Sequence, residues 1–214
     1  MSNLNKRILT SFPLLIIAIY AIYNKIVLFL SLFIISSVLI YEFSNILKKI
    51  FKRNKSNSLI LINIFVLYVC LFSVQIYFFL SGNIENKQII FLFILLICIF
   101  TDIGGYMFGN IFKGKKLTSI SPNKTYAGMF GSFICSLIIC TLFINYFNFS
   151  NNLIIFTLII SFVSQIGDLF ISYLKRKAKI KDTGNFLPGH GGLLDRLDGI
   201  IFAIPLGIKI FTFF

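Results

Sequence analysis

Acidic residues are scarce in this sequence, and their positions suggest chemistry. Five of the seven acidic residues are aspartates in three polar stretches: Asp102, Asp168, Asp182, Asp195 and Asp198. Asp102 and Asp168 lie within otherwise apolar runs, and a carboxylate at the centre of a membrane helix costs about 2.5–3.5 kcal/mol on insertion scales. Such an acid usually faces a cavity, a cation or a partner. Both are therefore candidate functional residues, with a structural ion pair between helices as the alternative.

Helical spacing groups these two acids with other polar side chains. Steps of three, four and three residues separate Gln165, Asp168, Ser172 and Lys175. These positions share one face of an α-helix, which predicts a polar stripe. By the same rule, Asp102 and Tyr106 are four residues apart and share a face of an earlier helix.

Asp195 and Asp198 are three residues apart at the predicted start of the last helix, so they are expected on one face. Two carboxylates this close repel each other unless a divalent cation or strong donors hold them. Oxygen ligands of this kind suit Mg²⁺, which commonly takes one or two carboxylates together with substrate phosphates. The alternative is pairing with Arg196 and helix N-terminal amides, which would satisfy one aspartate more readily than two.

A glycine-rich segment, residues 187–192, comes directly before this pair. Gly189, Gly191 and Gly192 would let backbone N–H groups approach an anion beside a helix N-terminus, which predicts a phosphate site. A helix-capping turn is the alternative. His190, the only histidine, is either a donor to a phosphate oxygen or a satisfied structural donor.

The composition indicates a membrane protein. Of the 214 residues, 57% are hydrophobic and 13% are charged, and the mean hydropathy is +0.92. Soluble domains have about 45–50% apolar and about 25% charged residues, so bilayer lipid must solvate this chain. The net charge of +13 comes from short basic clusters between apolar runs, without the aromatic–basic interleaving of a nucleic-acid surface. We therefore expect no nucleic acid partner.

Seven apolar runs predict an all-α polytopic transmembrane helix bundle with about seven spans. The runs are Ile8–Tyr23, Ile26–Phe43, Ser58–Leu80, Gln88–Gly109, Tyr126–Phe147, Leu153–Leu174 and Leu193–Phe214. The first two are short and separated only by Asn24-Lys25, so both a tight hairpin that does not fully cross and two full spans stay open. Residues 1–214 would form a single membrane-embedded domain, with N-terminal helices in residues 1–100 and a catalytic portion in residues 101–205.

Basic residues predict the orientation of these helices. Lysine and arginine concentrate in the N-terminal tail and in the second, fourth and sixth connections between runs. Because such residues favour the cytoplasmic side, we expect the N-terminus and the three basic loops in the cytoplasm and the C-terminus outside.

The last third of the chain carries a motif of about fifteen fixed positions over 27 residues. It consists of Ser172-Tyr-Leu-Lys175-Arg176, Lys181-Asp182-Thr-Gly184, Leu187-Pro-Gly-His-Gly-Gly192 and Asp195-Arg196-Leu-Asp198. This motif resembles the signature of the phosphatidate cytidylyltransferase family. A second block is similar to two further segments of the family. Asp102-Ile-Gly-Gly-Tyr106 is similar to the family's D-x-G-A-Y, and Ser121-Pro-Asn-Lys124-Thr125 with Gly128 is similar to S-P-x-K-T-x-E-G. Gly167-Asp168-Leu169 also matches. The family usually has glutamate where this chain has Ala127, and the chain is shorter than typical members.

The resemblance implies an enzyme of phospholipid biosynthesis that makes CDP-diacylglycerol. A phosphate oxygen of phosphatidic acid would attack the α-phosphorus of CTP, and pyrophosphate would leave. Expected partners are therefore CTP, phosphatidic acid and membrane lipids, and a homodimer is a further expectation. The expected location is a bacterial-type inner (cytoplasmic) membrane, with the active site on the cytoplasmic side.

The resemblance also implies roles for individual residues. Mg²⁺ would be the cofactor, held by Asp182, Asp195 and Asp198. Phosphates would be bound by Lys124, Lys175, Arg176, Lys181 and Arg196, while Ser172 and Asp168 would organise the metal–phosphate cluster. Further substrate-binding positions are Asp102, Gly189, His190, Gly191 and Gly192.

Two other functions compete with this interpretation. A CTP-dependent lipid-alcohol kinase would transfer the γ-phosphoryl group to a dolichol- or phytol-like substrate and leave CDP, but the long motif of residues 172–198 argues against it. A cation transporter would also place aspartates in membrane helices. It would concentrate polar residues at mid-membrane, whereas the charges here gather near one surface.

Overall fold

A computed structural model of the protein describes residues 16–52, 54–118, 121, 124–147, 152–184, 186 and 191–212. Within these residues the regular structure is helical, and one isolated antiparallel bridge joins Lys116 to Thr125. The predicted all-α class is confirmed. Residues 16–23 are helical, and seven further helices follow: α1 (Lys25–Ile50), α2 (Lys55–Ser81), α3 (Lys87–Phe112), α4 (Tyr126–Phe147), α5 (Leu153–Lys177), α6 (Leu194–Leu197) and α7 (Ile200–Phe211).

Five of these helices, α1 to α5, are long and apolar enough to cross a bilayer. Helix α1 is longer than the sequence predicted, because it has 26 residues and continues past Phe43 to Ile50. The Asn24 side chain caps its first turn, and Lys48 and Lys49 lie in its last turn, where cations favour the helix dipole. Helix α1 therefore has the length and composition needed to cross.

The last apolar run is also different from the prediction. It is broken into the four-residue helix α6 and the twelve-residue helix α7, with Asp198 and Gly199 between them. The Asp198 carboxylate accepts a hydrogen bond from the Gly199 backbone N–H at 2.9 Å, an interaction that competes with helical pairing. Asp195 and Asp198 therefore do not share one face of a continuous helix.

The chain divides into two compact units, and each is described by itself. The first unit contains the described residues of Met1–Gln88 and Leu174–Leu197, and the second contains those of Ile89–Tyr173 and Asp198–Phe214. In the first unit, the Phe43 and Phe65 rings stack with centroids 3.7 Å apart, and the Ser36 and Ser73 hydroxyls are 2.6 Å apart. These contacts join α1 to α2. The predicted division at residue 100 stays a prediction.

In the second unit, small residues let α3 and α4 pack closely. A Cβ atom at Gly104 would lie 2.5 Å from the Gly131 carbonyl oxygen, and one at Gly128 would lie 2.7 Å from the Gly105 carbonyl oxygen. Only glycine fits at such distances, and close backbone approach of this kind is a common way to join helices in membranes. The packing fixes the end of α3 that carries Asp102.

The orientation of the helices stays a prediction, and cysteine labelling tests it. The native Cys70, Cys98, Cys135 and Cys140 would first be replaced by serine. We expect single cysteines at Lys115 and Lys179 to react with a membrane-impermeant reagent from the cytoplasmic side only. A cysteine at Thr212 should react from the other side. Labelling of the two basic loops from outside would contradict the predicted topology.

Candidate active site

The first unit contains an aspartate that is held by several donors. Lys175 Nζ donates to Asp195 Oδ1 at 2.7 Å, and the backbone N–H groups of Thr183 and Gly192 donate to Oδ2 at 2.7 and 3.2 Å. Burial alone would raise the pKa of Asp195, but the hydrogen bonds from Lys175 and Thr183 outweigh it and lower this pKa overall. Asp195 is therefore a stable anion with its oxygens already occupied by protein donors.

A second carboxylate, Glu42 of α1, lies beside this cluster and is only 1% exposed. Its Oε1 accepts the Leu193 backbone N–H at 3.0 Å, and its Oε2 accepts the Leu194 backbone N–H at 2.8 Å. The Thr183 hydroxyl lies between the two acids, 2.8 Å from Glu42 Oε2 and 3.0 Å from Asp195 Oδ2. Glu42 thus connects α1 to the segment that carries Asp195.

Gly192 leaves the room that this arrangement needs. A Cβ atom there would overlap the Thr183 hydroxyl and lie 2.6 Å from Glu42 Oε2. The neighbouring Gly191 has a φ of +85°, a conformation that favours glycine. The two glycines therefore let the segment pack closely against the carboxylates of Asp195 and Glu42.

The described part of the glycine-rich segment differs from a simple phosphate loop. The backbone N–H groups of Gly192, Leu193 and Leu194 point at Asp195 and Glu42. A protein carboxylate thus occupies the Gly192 amide, one of those that the sequence assigned to a substrate anion. The phosphate-binding role of Gly191 and Gly192 stays a prediction, and Gly189 and His190 lie outside the described residues.

The other predicted charged residues of the first unit lie at its surface. Arg176, Lys181, Asp182 and Arg196 are exposed, whereas Lys175 is half-buried in its pair with Asp195. Exposed cations of this kind are accessible to a charged substrate. The metal role predicted for Asp195 would require displacement of its donors, and together with that of Asp182 it stays a prediction.

The second unit has its own cluster, built around Asp168 of α5. Lys124 forms an ion pair with Asp168 Oδ2, and the Ser172 hydroxyl donates to Asp168 Oδ1 at 3.3 Å. The cluster lines a cavity of about 290 Å³. Asp102, Tyr106 and Gln165 line the same cavity.

Asp198 completes this cluster from the turn before α7. It is only 8% exposed. Burial, followed by the negative charges of Asp168 and Asp102, raises the pKa of Asp198 to about 8. A proton or a cation at this site would relieve the repulsion between the acids.

The acids of this cluster are the kind of ligand that Mg²⁺ takes. No three His, Cys, Asp or Glu side chains are grouped as metal ligands within the part of the chain that the structure describes. Mg²⁺ needs fewer than three protein ligands, because it commonly takes one or two carboxylates and completes its coordination shell with water and substrate phosphates. Asp168 and Asp198 would supply that number, and Mg²⁺ would then share or displace the contacts that Lys124 and Ser172 make with Asp168.

Two residues of these clusters escaped the sequence analysis as candidates. Thr183 stands inside the quoted motif but was given no role, and Glu42 was not considered although it interrupts an apolar run. The test that selected Asp102, an acid in an apolar helix, would also have selected Glu42. Its partners lie 141 to 152 residues away along the chain, so no local spacing reveals them.

Helices of membrane-spanning length, together with these clusters of acids and cations, define an integral membrane protein with a polar site. The model of the cytidylyltransferase family matches residues 3–214. The chain belongs to this family, which confirms the resemblance seen in its motifs.

Relatives with curated names agree with this assignment. A phosphatidate cytidylyltransferase of Staphylococcus haemolyticus is 40% identical over 147 residues, which are 64% of this chain and 56% of the relative. That of Staphylococcus saprophyticus is 44% identical over 119 residues, 54% of this chain and 46% of the relative. That of Staphylococcus aureus strain COL is 43% identical over 133 residues, 60% of this chain and 51% of the relative. The chain thus spans about half the length of the curated relatives that it matches.

Proposed function

We propose that the protein is a phosphatidate cytidylyltransferase, which converts CTP and phosphatidic acid to CDP-diacylglycerol and pyrophosphate. The observation that carries the proposal is the cavity lined by Asp102, Lys124 and Asp168, in which Lys124 forms an ion pair with Asp168. Nucleotidyl transfer needs charge neutralisation and positioning more than covalent participation, and such a cluster supplies both. The names of the staphylococcal relatives support the choice of substrates.

In the proposed reaction, a phosphate oxygen of phosphatidic acid forms a bond to the α-phosphorus of CTP. The bond between the α-phosphorus and the bridging oxygen breaks, and its electron pair leaves with pyrophosphate. The nucleophile is already an anion, so no strong general base is required. Bound Mg²⁺, held by Asp168 and Asp198, would neutralise charge on the reacting phosphates.

Residues of the chain have separate tasks in this proposal. Lys124 balances the charge of Asp168 and contributes a cation to the cavity, and Ser172 fixes the orientation of the Asp168 carboxylate. The cavity, at about 290 Å³, is at the lower end of ligand sites and suits the phosphate-bearing part of a substrate. Exposed Arg176, Lys181 and Arg196 would attract the triphosphate by their charge.

The location follows from the substrates. CTP is water-soluble and phosphatidic acid is a membrane lipid, so the site must lie at an interface between the two. We propose the cytoplasmic side of a bacterial-type inner membrane, because the basic connections of the chain favour that side. A homodimer stays a prediction.

Analysis of the water-soluble product tests this function. With phosphatidic acid as acceptor, we expect one pyrophosphate for each CTP consumed and no CDP. Pyrophosphate and CDP are separated by anion-exchange chromatography. A lipid-alcohol kinase would release CDP instead, and a transporter would consume no CTP at all.

A further inference from the structure

A second cavity lies in the first unit, where α1 ends and α2 begins. Its volume is about 280 Å³, and its lining combines cations with apolar side chains. Lys48, Lys52 and Lys55 supply the cations, and Phe51 and Leu59 supply apolar surface. None of these residues belongs to the candidate active site.

The three lysines are exposed and lack compensating charge. None of them forms an ion pair with a carboxylate among the described residues. A further cation, Lys177 Nζ, lies 5.8 Å from the centroid of the Phe51 ring. The cavity is therefore strongly positive and attracts anions.

Ser58 is an independent sign of a ligand. It lines the cavity, it is only 5% exposed, and its hydroxyl has no hydrogen-bond partner in the described part of the chain. A buried hydroxyl without a partner costs about 1–3 kcal/mol, so such groups are rare in folded proteins. An oxygen of a bound ligand would satisfy it.

We propose that this cavity binds the phosphate-bearing headgroup of an anionic phospholipid. Three cations and a free hydroxyl suit a phosphate group. Phe51 and Leu59 suit the apolar part of an amphiphile and would add nothing to the binding of a free anion. The junction of two membrane-spanning helices is where lipid headgroups and polybasic segments meet.

Phosphatidylglycerol is a suitable probe, because it is anionic but lacks the phosphate monoester that the proposed reaction consumes. The full chain, purified in a zwitterionic detergent, is titrated with dioleoylphosphatidylglycerol, and lipid adducts are counted by native mass spectrometry. Lys48→Gln/Lys52→Gln is compared with Lys49→Gln/Lys113→Gln, which removes the same charge from exposed lysines outside the cavity.

We expect the cavity variant to bind the lipid roughly 25-fold more weakly, since each lysine that lies against the bound anionic headgroup contributes about 5-fold. The control variant should change the affinity by less than about 2-fold. Equal losses in both variants would overturn the proposal, because binding would then depend on net charge alone.

Ser58→Ala tests the site without changing its charge. We expect roughly 5-fold weaker lipid binding and an unchanged thermal unfolding temperature without added lipid, because the hydroxyl has no partner to lose. Unchanged affinity would contradict the proposal. Inorganic phosphate or pyrophosphate should not displace the lipid at equal concentration, and displacement would show that the cavity takes a free anion instead.

Discussion

Asp198→Asn should lower kcat on the order of 10³-fold while the protein still folds and inserts. The substitution keeps the size of the side chain and its hydrogen bond from Gly199, but it leaves no carboxyl group near Asp168 that could ionise to bind a cation. The site would then lose one of the two carboxylates proposed to hold Mg²⁺. Phosphatidic-acid-dependent pyrophosphate release, measured at several Mg²⁺ concentrations, gives the result.

Glu85→Gln is the matched control for this experiment. It makes the same chemical change at an exposed position in the connection between α2 and α3, and we expect it to keep the wild-type rate. Size-exclusion chromatography of both variants in detergent checks folding. If Asp198→Asn kept the wild-type rate and Mg²⁺ dependence, the proposed role of the Asp168–Asp198 pair would be wrong.

Glu42 is the second position where we expect a large effect, through positioning and not through contact with substrate. Glu42→Ala would leave two backbone N–H groups, those of Leu193 and Leu194, without their acceptors. Each buried group left unsatisfied costs about 1–3 kcal/mol. We therefore expect a lower thermal unfolding temperature and little remaining activity.

Glu42→Gln separates positioning from stability. The amide keeps the volume, but one of its two ends is a donor and cannot accept from the segment that carries Asp195. A small misplacement of reacting groups can reduce the rate by about 10²-fold, so we expect kcat to fall by 10- to 100-fold with the KM for CTP nearly unchanged. A variant with wild-type kcat would show that Glu42 has no part in the reaction.

Spacing along single helices was a good guide to the site. Three of the four residues of the predicted stripe, Gln165, Asp168 and Ser172, line one cavity because periodicity places them on one face of α5. The fourth, Lys175, is not among the lining residues and pairs with Asp195. Asp102 and Tyr106 of α3 line the same cavity for the same reason. Such predictions need only that the helix is continuous.

The same reasoning was wrong for Asp195 and Asp198, because the helix is not continuous there. A Cβ atom at Gly199 would come within 2.8 Å of the Ser164 carbonyl oxygen, so the turn packs directly on α5. This tertiary contact and the bond between Asp198 and Gly199 end α6. Local periodicity carries no information about either.

Charge pairing around the two aspartates could be predicted only in part from the sequence, and the role of a divalent cation stays a prediction. The sequence predicted that protein groups would balance the charge of one aspartate more readily than of both. Asp195 accepts hydrogen bonds from protein donors, whereas Asp198 lies near another acid, Asp168. The cation that pairs with Asp195 is Lys175 and not the adjacent Arg196. Lys175 comes from another helix, and only the folded chain brings the two together.

The fate of the cytidine group tests the central claim most directly. Cytidine-labelled CTP is incubated with phosphatidic acid, Mg²⁺ and the purified protein, and the label in the lipid extract is counted; CTP labelled at the γ-phosphate is run in parallel. We predict that the cytidine label enters the lipid, that the γ-label stays in the aqueous phase, and that EDTA abolishes the transfer. Label that enters lipid only from the γ-position, with diacylglycerol or a prenol as acceptor, would contradict the account and identify a lipid kinase.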